Sequence, residues 1–591
     1  MSSRTRNSTL LDGLIAALLA LAALVAATGG VEVDLGPLSL RSHSAVRVLA
    51  VAMLPLACRL WLWRREERGV QRKECGVRLQ PDYSSPLRIA LLTAIALSVG
   101  YWFKYLLTTI GGADSHGYAS AGRLLASGRL LDAAPIAEWL SSPNRLGLAS
   151  PLGWAPSAGG NGVVPTYPLG LPALMAAFSE IGGPDAVFLV APAMGLLTLW
   201  LVFRFTLNWM DETPRLANTS APSGRTTALL ATALVAWNPV FLTYAKQPMS
   251  DVPASLWLML AIYLAMTIRP AGAGIYGATL AGIAAGAAFL TRPALFVAVA
   301  IVPLLAMRGP YPYRRMFLSS IGVAIGVIVQ VWLQARLFGD PLATGYGSAE
   351  VLFSWPALPQ NIDIYVRRSW QALGGLWLVA LGAGAWVLRG PRSAAILAVA
   401  AAVALPYLFY VRFDHWETLR FLLPGLVPLS ILVAAGVTTL AASLRVPAVS
   451  AMVVIVFAGA FALRSERLMR ESSVWDIQNL EARYPLAGQW FNINTPPNSV
   501  VLAHQHSGSL RWYSGRQTLR WDLMKPEELA PTVLELESHG APVYVALEGS
   551  EQQAFDRKFS GQLAGLSVDP VGRVRNVNVL RLKNPSLLLP P

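Results

Sequence analysis

This sequence is short of charge. Asp, Glu, Lys and Arg make up 14% of its 591 residues, where an ordinary soluble domain carries roughly a quarter. The shortage is uneven. From Met1 to about Leu463, apolar runs of membrane-span length follow one another between short polar loops, and from Arg464 onward the composition becomes that of a globular domain. Cysteine is nearly absent as well: Cys58 falls in an apolar run and Cys75 in an Arg-rich loop, so no disulfide framework holds the chain. Histidine is sparse and lies outside the apolar runs, and carboxylates paired at metal-ligand spacing are missing. No glycine-rich loop leads from a strand into a helix, which removes the usual cradle for a nucleotide phosphate.

What is present is hydrophobic length. A run of about 20 apolar residues crosses the hydrocarbon core as a helix, which satisfies its own backbone polar groups. About thirteen such spans are expected, at 9–28, 45–63, 87–106, 185–208, 226–244, 252–269, 275–290, 293–307, 316–336, 370–388, 393–411, 421–441 and 447–463. The fold class expected is an all-α polytopic membrane protein with a small C-terminal α/β domain outside the membrane. Residues 1–86 read as an N-terminal hairpin and basic loop, 87–463 as the main membrane domain, and 464–591 as the soluble domain. In the last, Val500–Ala503, Thr518–Trp521, Val543–Leu547 and Val577–Leu582 read as strands, and Pro526–Ser538 and Glu551–Phe559 as helices.

The net charge of +14 does not point to nucleic acid, because the arginines concentrate in short loops, where they set orientation. Arg64, Arg65, Arg68, Arg72, Lys73 and Arg78 put the loop after the second run in the cytoplasm. Alternation then places residues 107–167, 337–369 and 464–591 outside, with the cytoplasmic membrane as the location. Residues 168–180 are apolar but short and hold two prolines, so a juxtamembrane or re-entrant helix is expected there. The first run is read as an uncleaved anchor, with a signal peptide as the alternative.

The chemistry-bearing residues collect on the outer face. Asp114 and Tyr118 stand in Gly111-Gly112-Ala113-Asp114-Ser115-His116-Gly117-Tyr118; Asp114 is either a helix N-cap or a reactive acid. Asp251 follows the fifth run. Arg292 lies in a tight turn between two apolar helices, against the charge bias, and such a charge is functional by default unless it snorkels. Arg412, His415, Glu417 and Arg420 fall in Arg412-Phe413-Asp414-His415-Trp416-Glu417-Thr418-Leu419-Arg420, which also reads as a self-neutralising loop. Tyr167 and Tyr346 are aromatic candidates for a sugar face or for the membrane interface.

In order and on one face, these segments resemble the GT-C glycosyltransferases that use a polyprenyl-phosphate sugar, a class that includes the protein mannosyltransferases and the lipid A aminoarabinose transferases. The resemblance covers roughly residues 87–463. It rests on Asp114 and Tyr118, on Thr166-Tyr167-Pro168-Leu169-Gly170-Leu171-Pro172, on Ser250-Asp251, on Leu290-Thr291-Arg292, and on Leu419-Arg420-Phe421-Leu422-Leu423-Pro424.

The resemblance implies transfer of a sugar from a lipid-phosphate carrier to a glycan, lipid or protein acceptor, with inversion. It implies Asp114 as base, Arg292 and Arg420 on the phosphate, and Tyr118, Tyr167, Asp251, Tyr346, Arg412, His415 and Glu417 as binding residues. Asp-Ser-His stands where many relatives carry paired acids, so no metal ligand or cofactor is assigned and a divalent ion is left open. The readings from other classes are a flippase for a lipid-linked glycan and a non-catalytic envelope scaffold.

Overall fold

The computed structural model describes residues 31–34, 39–42, 84–211, 224–267, 274–308, 311–347, 349–442 and 447–585. The first two expected spans, Cys58, Cys75 and the basic loop that sets the orientation lie outside the described residues. A short antiparallel ribbon, β1 (Val31–Asp34) with β2 (Ser39–Ser42), precedes the helical body.

That body contains α1 (Ser84–Lys104), α2 (Asp114–Ala126), α3 (Gly170–Gly182), α4 (Val190–Asp211), α5 (Gly224–Ala236), α6 (Asp251–Thr267) and α7 (Gly274–Thr291). It continues through α8 (Phe296–Ala306), α9 (Pro312–Phe338), α10 (Ala357–Leu373), α11 (Gly375–Val387), α12 (Pro391–Leu408), α13 (Leu423–Ala442) and α14 (Pro447–Glu471). Each expected span from 87–106 onward coincides with apolar helix, and the chain is a multi-pass membrane protein.

The count of about thirteen full spans is not reached among the described residues. Six helices are long and apolar enough to cross, seven if the bent pair α10–α11 is one span, and four further apolar helices are shorter. The reasons are local. The run 226–244 is broken at Asn238, whose side chain caps the backbone N–H groups of Val240 and Phe241 at 3.0 and 3.3 Å ahead of Pro239. The run 370–388 meets Gly374 at φ +84°, and α10 and α11 diverge there by 100°. Periodicity reports an apolar run but not a cap or a left-handed turn inside it. Residues 168–180 form the 13-residue helix α3, too short to span.

Close approach by glycine sets the helix spacing. A Cβ on Gly286 would press on the Gly322 carbonyl and the Gly326 backbone, and one on Gly326 would strike Gly286, so α7 and α9 pack nearly backbone to backbone. Gly384 of α11 and Gly436 of α13 meet in the same way. Small residues at such crossings are how helices associate in lipid, where no hydrophobic effect drives them together.

Between α2 and α3 the chain forms a small hairpin, β3 (Trp154–Pro156) with β4 (Val163–Pro165). The composition changes at Arg464, but α14 continues through that position to Glu471. The C-terminal sheet domain follows with α15 (Arg483–Asn494), β5 (Val500–Ala503), α16 (Ser507–Ser514), β6 (Gln517–Leu519) and α17 (Leu529–Ser538). It ends with β7 (Val543–Glu548), α18 (Gly549–Leu563), β8 (Ser567–Val574) and β9 (Val577–Lys583).

The sheet order is β6-β5-β7-β9-β8, parallel over the first three strands and antiparallel over the last two. β5 and most of β7 are buried, as their unbroken apolar sequences require. Strand β8 has no apolar alternation, since it contains Asp569, Pro570 and Gly572, and an edge position with a register shift between Pro570 and Gly572 accommodates them.

Candidate active site

Asp114 opens α2 directly after the Gly111-Gly112 turn, where Gly112 takes φ +60°. It does not cap the helix. Ala113 occupies the cap position with no side-chain bond, and Ser115 does the local work: its Oγ donates to the Gly111 carbonyl at 2.6 Å and accepts from the Gly111 N–H at 3.0 Å. The Asp114 carboxylate is therefore turned to the cavity. Its Oδ1 accepts the Tyr167 hydroxyl at 2.6 Å, and its Oδ2 lies 3.3 Å from both Nη atoms of Arg420. Burial, and next the Asp114 charge, push the Tyr167 phenol well above its ordinary range, so Tyr167 remains the donor in this pair.

The second pair lies deeper. Arg292, in extended backbone between α7 and the Pro293–Leu295 turn, brings Nη2 within 2.8 Å of Asp251 Oδ1. Its Nη1 donates to the Arg420 carbonyl at 3.2 Å, which joins the two pairs. The side chains of Asp114 and Arg420 are 34% and 25% exposed, whereas those of Asp251 and Arg292 are 1% and 12% exposed. One pair faces the opening and the other lies deeper in the cavity wall.

Aromatic rings frame both guanidinium groups. Arg420 lies 5.6 Å from the Tyr244 ring and 5.2 Å from the Phe421 ring, and Arg292 lies 5.5 Å from Phe421. Tyr167 contacts Tyr118 at 4.7 Å and Tyr346 at 5.6 Å. The Tyr118 hydroxyl donates to Ser250 Oγ at 3.0 Å.

Together these groups line a cavity of about 550 Å³ between the C-terminal ends of α7, α9 and α12 and the starts of α2, α6 and α13. Of the residues singled out from sequence, Asp114, Tyr118, Tyr167, Asp251, Arg292, Tyr346 and Arg420 line it. Arg412, His415 and Glu417 do not. Arg412 donates to Gln360 and borders a separate surface groove with Asp363, Arg367 and Asp414. His415 is exposed, 3.7 Å from Glu417. The loop does not neutralise itself internally either, since Asp414 pairs with Arg368 at 2.8 Å and Arg367 at 3.4 Å on α10.

Sequence reasoning missed Tyr407 and Tyr410, hidden in the apolar run 393–411, and Gln330 and Gln334, hidden in 316–336. Two amides four residues apart inside an otherwise apolar span were the available signal. Asp114 and Asp251 are the only acids among the lining residues, and each faces an arginine. No group of three or more His, Cys, Asp or Glu suited to a metal ion occurs among the described residues.

The C-terminal domain braces the start of α2. The Ile110 N–H donates to the Tyr513 hydroxyl at 2.8 Å, the Leu152 N–H donates to Ser507 Oγ at 3.0 Å, and Arg511 Nη2 donates to the Ala149 carbonyl at 2.7 Å. The Arg123 guanidinium stacks 3.5 Å over Trp512. His116, two residues from Asp114, is buried beside Gly508, and its Nδ1 lies 3.2 Å from the Leu152 carbonyl.

Burial, opposed by that carbonyl and assisted by Arg511 and Arg123, lowers the His116 pKa from 6.5 to about 4. The unfolded chain takes up this proton near pH 6.5 and the folded one only near pH 4. The contribution to stability is complete above pH 6.5 and drains away as the pH falls to 4, by about 3 kcal/mol at most. His116→Gln is expected to flatten this part of the unfolding midpoint against pH relative to wild type. Identical profiles for the two proteins would contradict it.

No protein-family model and no curated protein matches the sequence. Solved structures do. ArnT from Cupriavidus metallidurans bound to undecaprenyl phosphate superposes with a TM-score of 0.54 at 12% identity, over 83% of this chain and 97% of that one. The apo state of the same protein gives 0.52 at 13% identity with the same coverage. The Archaeoglobus fulgidus oligosaccharyltransferase gives 0.47 at 13% identity, over 85% of this chain and 74% of that one. The chain has the GT-C fold, which it shares with the two ArnT structures.

Proposed function

We propose that the protein is a membrane glycosyltransferase that moves a sugar from a polyprenyl-phosphate carrier to a glycan, lipid or protein acceptor at the outer face of the cytoplasmic membrane, with inversion. Residues 87–463 would be the catalytic unit. The observation that carries this reading is the convergence of Asp114, Arg420 and Arg292 in one cavity at the ends of membrane helices. The shared fold with a protein solved in complex with undecaprenyl phosphate supports it.

The chemistry follows from the groups present. The acceptor O–H or N–H approaches the anomeric carbon while its proton passes to the Asp114 carboxylate. The bond from the anomeric carbon to the phosphate oxygen breaks, and its electron pair leaves with the phosphate. That leaving group becomes a monoester whose second pKa is about 6, so it requires cations more than an acid. Arg420 and Arg292 supply them, with planar donors that match phosphate oxygens two at a time. Tyr167, held as a donor, keeps the Asp114 carboxylate aimed. Tyr346, in the turn Thr344–Gly347, lines the cavity beside Tyr167 and would cover the lipid phosphate or the sugar.

The purified protein is expected to transfer sugar from a polyprenyl-monophosphate sugar and not from a nucleotide sugar. Efficient use of a soluble nucleotide sugar would overturn the assignment. Movement of an intact lipid-linked glycan across liposomes, without bond cleavage, would replace it with a flippase.

The basic residues Arg308, Arg314, Arg315, Arg389 and Arg392 gather at the helix ends remote from the cavity, where Arg308 reaches the Pro391 carbonyl. This supports an outward-facing site. With both native cysteines replaced, Glu527→Cys on the exposed surface of the C-terminal domain is expected to react with an impermeant thiol reagent in intact cells. Reaction only after lysis would reverse the orientation.

A further inference from the structure

The cavity wall carries side-chain oxygens that no protein donor satisfies. Gln330 is 7% exposed, and its Oε1 is buried without a hydrogen-bond partner. Asp251 Oδ2 is likewise buried without a hydrogen-bond partner, beside an Oδ1 that lies 2.8 Å from Arg292 Nη2. An unmade hydrogen bond of this kind is costly in an apolar setting. A native wall that keeps two is complementary to a ligand that donates.

Their position is defined by the α7–α9 contact. Gly286 and Gly326 touch, so Gln330, one turn beyond Gly326, stands level with Leu290 at the end of α7, just before Arg292. Gln334 follows one turn further on, and both amides line the cavity. The opposite side of α9 carries Ile325, Ile328 and Trp332, all exposed and suited to lipid. The amides therefore belong to the stripe of α9 that faces the cavity.

The chemistry of the proposed donor decides what lies against them. Its isoprenoid tail has no polar hydrogen. Its phosphodiester is ionised, accepts only, and is matched by Arg292 and Arg420. Only the sugar offers O–H groups. A neutral amide can accept from one hydroxyl and donate to the next, whereas a sugar ammonium group would call for a free carboxylate and a uronate for a free cation. We infer that Gln330 and Gln334, with Asp251 Oδ2, form a subsite that reads the hydroxyl groups of a neutral donor sugar. This inference rests on the lipid-phosphate reading above and names the substrate class within it.

The test uses the full chain in lipid nanodiscs and three probes: undecaprenyl phosphate, the same lipid carrying a neutral hexose or pentose, and the same lipid carrying an amino sugar. Wild type is expected to bind the neutral-sugar lipid most tightly. Gln330→Met keeps the side-chain volume but removes both hydrogen-bonding functions. It is expected to weaken neutral-sugar binding by about tenfold while changing undecaprenyl phosphate binding by less than twofold. Gln334→Met, at a half-buried position, is the second variant and should act in the same direction. Equal loss for sugar-bearing and sugar-free lipids, unchanged binding of both, or a preference for the amino sugar would each overturn the subsite. Failure of wild type to bind any of the three lipids would instead remove the lipid-phosphate reading itself.

Discussion

Asp114→Asn is expected to fold, purify like wild type, and turn over at least two orders of magnitude more slowly with a polyprenyl-phosphate sugar, the size of effect that loss of a general base produces. The substitution is almost isosteric, and it spares the turn because Ser115, not Asp114, holds the Gly111 backbone. The Asn oxygen still accepts from Tyr167. What disappears is a group able to take a proton and the charge opposite Arg420. Tyr167→Phe separates the parts: the carboxylate remains, only the 2.6 Å hydrogen bond is lost, and a smaller loss of about tenfold is expected from its net worth. Turnover of Asp114→Asn within threefold of wild type would remove Asp114 as the base.

The largest effect on stability is expected from Arg292→Ala. Asp251 is 1% exposed, and Arg292 is its ionic partner at 2.8 Å. Removing one member of a buried pair strands the other, at a cost of about 3–5 kcal/mol. The variant should inactivate at a clearly lower temperature in detergent and should lose transfer activity. Asp251→Asn in the same background is expected to restore most of the thermal stability, since the penalty comes from the uncompensated carboxylate, but not the activity. Equal midpoints for the single and double variants would mean that the pair does not hold the site together. Arg292→Lys keeps the charge, so it should fold nearly normally and still impair transfer through the lost two-point contact with phosphate.

The membrane class, the approximate positions of the helices and the residues that face one side were all legible in the sequence. They depend on composition within windows of about 20 residues, and burying backbone in hydrocarbon forces each such run into helix. The order of Asp114, Asp251, Arg292 and Arg420 along the chain, with the alternation of spans, was enough to place them at one level and to suggest the GT-C resemblance.

Which groups actually meet was decided only by the tertiary structure. Asp114 and Arg420 are 306 residues apart, and no local pattern states that one accepts from the other. The 412–420 segment looked like a single cluster, yet its backbone turn sends Arg420 and Phe413 to the cavity and leaves Arg412, His415 and Glu417 outside its lining. Asn238 and Gly374 interrupt runs that hydropathy alone joins, because a cap bond and a left-handed backbone turn are matters of geometry, not of composition. Gln330 and Gln334 acquire meaning only when Gly286 and Gly326 bring α9 against α7, and the bracing of α2 by the C-terminal domain exists only once the chain returns from Asp114 to Tyr513. Apolar periodicity is a local property and the sequence determines it residue by residue. Partner choice is set by packing across hundreds of residues, and only the folded chain settles it.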